Sequence, residues 1–163
     1  MIRTIIILFI IFISASFSEA ADTAKAPDFE LPDTNGITHR FSDYRGKIVL
    51  INFWASWCRE CVLEIPSLNS LHEKFKKSDV VILGISIDRD LAKASDTIAE
   101  NWVAFPVLMD AKGEVFVKKY SVIGFPTTIL IDQKGFIRQK FIGRHDFSSS
   151  GFIEKINNML KEK

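Results

Sequence analysis

Ile48-Val49-Leu50-Ile51-Asn52-Phe53-Trp54 runs straight into Ala55-Ser56-Trp57-Cys58-Arg59-Glu60-Cys61, and then into Val62-Leu63-Glu64-Ile65-Pro66. The first seven residues form an almost unbroken apolar run, the pattern of a strand buried on both faces. From Cys61 onward the pattern changes. Cys61, Ile65, Leu68, Leu71 and Phe75 recur at three- and four-residue spacing, which predicts an amphipathic helix. Both cysteines of the chain therefore fall at a strand-to-helix junction. Cys58 is placed at the helix N-terminus, where unpaired N–H groups and the helix dipole favour a thiolate. Cys61 lies one turn in, on the buried side, close enough to Cys58 to close a small disulfide ring.

Several chemistries use paired cysteines. A zinc ribbon needs a second ligand pair, and this chain has two cysteines in all. A c-type haem site needs His after the second cysteine, where Val62 stands. A structural staple gains stability by closing a long loop, and a two-residue gap offers little of that. Thiol-based metal transfer remains a rival. The strand–Cys-x-x-Cys–helix context favours redox chemistry over it. The composition agrees with an ordinary globular domain: 163 residues, 47% hydrophobic, 25% charged, 14 phenylalanines and a formal charge of +1. That near-neutral balance argues against a dedicated nucleic-acid binder.

Working outward, Asp28-Phe29-Glu30-Leu31 and Ile37–Phe41 alternate about the turn Asp33-Thr34-Asn35-Gly36, which predicts a hairpin. Val80–Ile87 reads as a second buried strand. Leu91, Ala94, Ile98 and Trp102 form a second helical stripe, with Asp88 or Asp90 as its cap. Glu114–Tyr120 reads as a short third helix. Thr127–Ile131 is a third buried strand, joined through Gln133-Lys134-Gly135 to an alternating strand over Phe136–Ile142. Phe152, Ile153, Ile156, Met159 and Leu160 stripe a last helix, capped within Ser148–Ser150. The fold class is α/β, a mixed sheet covered on both faces.

The first twenty residues stand apart. Arg3 precedes an apolar run from Ile5 to Phe17, and Ser18-Glu19-Ala20 is small-x-small. That is the order of a secretory signal peptide cleaved after Ala20. The alternative is a short uncleaved anchor, although the run is brief against the ~20 residues that span a bilayer. Either reading puts the domain outside the cytoplasm. Residues 21–26 read as a linker and 27–163 as the domain.

FWASWCRECVLEIP (residues 53–66) resembles the active-site segment of the thioredoxin superfamily. Gly124-Phe125-Pro126-Thr127 is similar to its cis-proline loop, and Pro66 to the proline within its active-site helix. Ala26-Pro27-Asp28-Phe29, together with Pro126-Thr127-Thr128 running into Ile131-Asp132, resembles the TlpA/ResA-like extracytoplasmic thiol–disulfide oxidoreductases. The likeness spans Pro27–Leu160. The AhpC/TSA peroxiredoxins share the opening motif, but their Thr/Ser-x-x-Cys setting is replaced here by the Cys-x-x-Cys pair, so peroxidase activity is not expected.

The resemblance implies a thioredoxin-like fold with an N-terminal β-hairpin extension. It implies reduction of disulfides in client proteins, for example apocytochromes in cytochrome c maturation. Cys58 and Cys61 would form the redox-active disulfide, with no other cofactor and no metal. Thioredoxins carry an acid six residues before the first cysteine; Asn52 stands there. In the ResA-like group a glutamate at the position of Glu64 lies beside the disulfide, so Glu64 is a candidate proton acceptor. Trp57, Phe125 and Pro126 would dock the client. The implied donor is a membrane thiol carrier of the CcdA/DsbD type, and the protein is expected to be a monomer. A disulfide oxidase or isomerase, or a copper carrier using the thiols, is the alternative. His39, His72 and His145 share no spacing and read as surface histidines.

Overall fold

The computed structural model describes residues 24–162. The signal-peptide reading of residues 1–20 lies outside them. The chain order is β1 (Glu30–Pro32), β2 (Thr38–Arg40), a 3-10 turn (Phe41–Tyr44), β3 (Ile48–Trp54), α1 (Arg59–Phe75), β4 (Val80–Ser86), α2 (Leu91–Glu100), β5 (Val107–Met109), a π-helical turn (Glu114–Lys119), β6 (Thr127–Ile131), β7 (Ile137–Ile142) and α3 (Ser150–Lys161). Strands β3 to β7 form one mixed sheet in the order β5-β4-β3-β6-β7. Strand β4 runs parallel to β3 and β5, and β6 runs antiparallel to β3 and β7. Strands β1 and β2 make the separate N-terminal hairpin. No helix among the described residues is long and apolar enough to cross a membrane.

The central strand β3 is buried at all seven positions, as its composition predicts. Its side chains alternate between two cores. Ile48, Leu50 and Trp54 pack with Leu68, Leu71 and Phe75 of α1 and Ile156 and Met159 of α3. Val49, Ile51 and Phe53 pack with Phe29, Phe41, Val115, Phe116 and Tyr120. One face of the sheet is thus covered by helices, the other by the N-terminal segment and the π-helical turn. Strand β7 alternates half-buried and exposed residues, as expected for an edge.

The structure corrects several expectations. Phe41 does not end the second strand; it opens the 3-10 turn and is buried. Strand β5 was not foreseen, because three residues after Pro106 are too few to show a period. The third helix is a six-residue π-helical turn. Of the α2 stripe only Ala94 is fully buried; Leu91 is 49% and Trp102 84% exposed. Trp102 lies beyond the end of α2 at φ 51, so helical phase no longer places its side chain. Asp90 caps α2, whereas Asp88 is buried elsewhere. Ser149 holds the N-cap position of α3 without a side-chain bond. The end of the supposed linker is tied to the sheet: the Ala26 N–H donates to the Gly135 carbonyl and the Ile137 N–H to that of Ala24, both at 2.9 Å.

Candidate active site

Strand β3 delivers the chain to one end of the sheet, where Ala55–Trp57 turns it into α1. Cys58 is the N-cap residue of that helix and is bonded to Cys61, with their Cα atoms 5.3 Å apart. The Cys61 N–H donates to Cys58 Sγ at 3.2 Å and the Val62 N–H to the Cys58 carbonyl. Cys58 is half-buried and Cys61 only 3% exposed. The sulfur at the helix terminus is therefore the accessible one. Glu60 is exposed and pairs with Arg144 at 3.1 Å, and Arg59 is exposed without a partner among the described residues.

Glu64 lies one turn beyond Cys61 and is 1% exposed. Asn52 Nδ2 donates to Glu64 Oε2 at 2.8 Å and also to Thr128 Oγ1 at 2.8 Å. The His145 backbone N–H donates to Glu64 Oε1 at 2.7 Å. Burial raises the carboxyl from 4.5 to about 7; the N–H groups of His145 and Asn52, with the charge of Arg144, oppose it. A carboxyl poised near neutrality can both accept and return a proton.

The opposite wall is aromatic. The Phe125–Pro126 bond is cis. Phe125 stacks on Phe116 with ring centroids 4.5 Å apart, and Trp57 and Phe125 meet in a T-shaped pair at 5.6 Å. Trp57 is 67% exposed. The loop is held by the Thr127 hydroxyl, which donates to the Gly124 carbonyl, and by the Gly143 N–H, which donates to that of Pro126. Thus Cys58, Cys61, Glu64, Trp57, Phe125 and Pro126 converge at one end of the sheet.

Other contributors were not legible. The sequence marks Asn52 only as a missing acid, and Thr128 only as part of a strand and of the motif that follows Pro126. His145 was read as a surface histidine. Its ring is exposed, Nδ1 bonded to the Gly143 carbonyl at 2.8 Å, while its backbone amide reaches the buried carboxylate. No sequence pattern marks a backbone amide. The buried Asp88 carboxylate accepts the Ser56 N–H at 2.9 Å and the hydroxyls of Ser56 and Ser86 at 2.7 Å, pinning the loop before Cys58. His39 and His72 are half-buried rather than surface residues. His39 shares a 2.6 Å hydrogen bond with the Tyr44 hydroxyl, and His72 packs against Phe105. Among the described residues no cluster of three or more His, Cys, Asp or Glu side chains could hold a metal ion.

A disulfide at a helix N-terminus, on this sheet and beside a cis-proline loop, defines a thioredoxin-like thiol–disulfide oxidoreductase. The chain belongs to the AhpC/TSA family, whose sequence model matches residues 23–140. It is 38% identical over 120 residues to the thiol–disulfide oxidoreductase ResA of Geobacillus kaustophilus, covering 74% of this chain and 68% of that protein. Its structure is similar to that of a Chlorobium tepidum protein assigned as the thiol:disulfide interchange protein DsbE, with TM-score 0.78 and 31% identity over 85% of this chain and 97% of that one. A Bacteroides thetaiotaomicron protein assigned as a disulfide isomerase gives TM-score 0.78 and 30% identity over 85% and 89%. Clients of such an enzyme carry disulfides.

Proposed function

We propose that this protein reduces client disulfides outside the cytoplasm. The Cys58 thiolate attacks a client disulfide and forms a mixed disulfide, releasing one client sulfur as a thiolate. Glu64 takes the proton from Cys61, whose thiolate then attacks Cys58 Sγ. The second client thiolate leaves, and the enzyme holds the Cys58–Cys61 disulfide. Two electrons pass to the client, whose two thiolates take up the protons. The observation that carries this order is the contrast between half-buried Cys58 at the helix end and fully buried Cys61 one turn from a buried, near-neutral carboxyl. Trp57, Phe125 and Pro126 form the client-docking wall.

The reductive direction draws support from the likeness to ResA and DsbE proteins. Our reading extends to cytochrome c maturation, with apocytochromes as clients, a membrane thiol carrier of the CcdA/DsbD type as donor, and a monomeric enzyme. The charged, apolar and small-residue order of residues 1–20 supports export, with cleavage after Ala20 or retention as an anchor. The likeness to an assigned isomerase keeps disulfide donation or shuffling as a second reading.

Equilibration with glutathione buffers distinguishes the two. A reductase has a potential of about −270 mV, whereas about −120 mV marks an oxidant and overturns the proposal. Cys61→Ser should accumulate mixed disulfides with clients and Cys58→Ser should not. Faster alkylation of Cys61 than of Cys58 in the reduced protein would reverse the assignment of attacker and resolver.

A further inference from the structure

A partly enclosed concavity lies at the other end of β3 from the disulfide. Lys47 and Val49 line it where the strand begins, and the strand ends at Trp54 beside the active-site loop. Seven residues at about 3.3 Å each put roughly 20 Å between the two. Three segments frame the cavity: the N-terminal lead-in at Lys25–Asp28, the loop through Phe41–Lys47, and the β6–β7 turn at Asp132–Gly135. Backbone hydrogen bonds lock them together, from the Ala26 N–H to the Gly135 carbonyl and from the Gly46 N–H to that of Gln133. The enclosed volume is about 220 Å³.

The lining is cationic. Lys25, Arg45, Lys47 and Lys134 all contribute, and none has an ion-pair partner among the described residues. The two lining carboxylates are held by backbone N–H groups rather than by the lining cations. Asp28 Oδ1 accepts the N–H groups of Phe29 and Ser42 at 3.1 and 2.9 Å. Asp132 Oδ1 accepts those of Lys134 and Phe136 at 3.0 and 2.9 Å, and Oδ2 accepts Arg138 at 3.3 Å. Four cations without an ion-pair partner among the described residues thus outnumber the two carboxylates around the hollow, which leaves its lining with a net positive charge.

We propose that this hollow is a phosphate-group site, and that the phosphate it takes is the headgroup of an anionic phospholipid at a bilayer surface. Lysine and arginine supply the point charges and the planar fork that phosphate binding uses. The volume is below the ~300–1,000 Å³ of pockets that enclose drug-sized ligands, which favours a small headgroup over a nucleotide. The lipid source follows from chain length. Ala24, beside Lys25 of the lining, stands seven positions after Phe17, where the apolar run of the sequence ends. Seven residues reach at most about 25 Å, so a bilayer holding that run lies within reach of the cavity mouth. The proposal rests on retention of residues 1–20 as an anchor, and not on the direction of the redox reaction.

Full-length protein is placed in vesicles of phosphatidylcholine alone or of phosphatidylcholine mixed with phosphatidylglycerol. Lysine acetylation rates are read by mass spectrometry, with Lys93 and Lys112 as references. Phosphatidylglycerol should slow modification of Lys25, Lys47 and Lys134 by about fivefold relative to the references, the scale of one basic contact to an anionic surface. The double variant Arg45→Gln/Lys47→Gln should lose that protection at Lys25 and Lys134 while reducing insulin at the wild-type rate. If the double variant keeps the protection, diffuse attraction explains it and the site is refuted. sn-Glycerol 3-phosphate, added to protein in phosphatidylcholine vesicles, tests the soluble source. Protection by this compound without protection by phosphatidylglycerol overturns the lipid assignment. Unchanged rates in both overturn the site itself.

Discussion

The Glu64 carboxyl accepts one N–H on each oxygen, from His145 and from Asn52, and yet burial still lifts it to about 7. The sign of the stability effect follows from that order. Below 4.5 the carboxyl is protonated in both folded and unfolded chains. Between 4.5 and about 7 the unfolded chain ionises first, so stability falls as pH rises through this window and levels above it. The loss is on the order of 3 kcal/mol for a shift of this size. Urea unfolding of the disulfide form at about pH 5 and about pH 8 should show the fall in wild type and a much flatter response in Glu64→Gln. The thiol–disulfide exchange rate of wild type should carry an inflection near 7 that Glu64→Gln lacks; identical pH–rate profiles would remove Glu64 from the mechanism. Asn52→Ala removes a donor that favours the ionised form, so the inflection should move upward by about one unit, the worth of one charge-assisted hydrogen bond. At this scale the cysteines and Glu64 were legible from spacing and resemblance. The partners of Glu64 were not, because one is a strand amide read as a missing acid and the other a main-chain N–H from a distant loop.

Helix α1 carries the disulfide, and its buried stripe of Cys61, Ile65, Leu68, Leu71 and Phe75 is the one its spacing predicts. The π-helical turn matters to the site from the other side. Its Phe116 stacks on Phe125, which carries Trp57. The turn is held by Asp110, 3% exposed, which accepts the N–H groups of Glu114 at 2.9 Å and Phe116 at 2.8 Å. Asp110→Ala leaves these donors unpaired and should cost about 1–3 kcal/mol in denaturant unfolding. It should slow exchange with protein clients more than with a small disulfide such as oxidised glutathione, because Phe125 loses its backing while the cysteines keep theirs. Equal slowing of both substrates would separate the turn from client docking. Element boundaries were read well where the apolar period was long, in β3, α1, β4 and α3. They failed at β5 and at the end of α2. Three residues set no period, and Trp102 is instead placed by Asn69, whose side chain donates to the Trp102 carbonyl at 3.0 Å and accepts the Ala104 N–H at 2.9 Å.

Across the whole molecule the sheet divides two cores, and the packing between neighbouring strands is tight at Gly84. A Cβ there would lie 3.2 Å from Phe105, Trp54 and Val107 at once. All three are buried members of one core, and each would have to give by a few tenths of an ångström. Gly84→Ala should therefore cost about 1–3 kcal/mol by overpacking, read in thermal or denaturant unfolding. The reduction potential should stay unchanged if the disulfide senses only its own helix. Residues alone determined the features that live within one turn or one strand: the buried run of β3, the cysteines at the start of α1, the alternation of β7 and the class of chemistry. Such features rest on periodicity and on neighbours three or four positions apart, which a linear chain displays directly. The tertiary structure decided what is assembled from remote segments. Asn52 meets Thr128 across 76 positions, Glu64 meets the His145 amide across 81, and three separate loops frame the cationic hollow. These contacts depend on the strand order and on which amide happens to face a buried carboxylate. Both are settled only when the sheet closes and water is excluded, so no local pattern carries them.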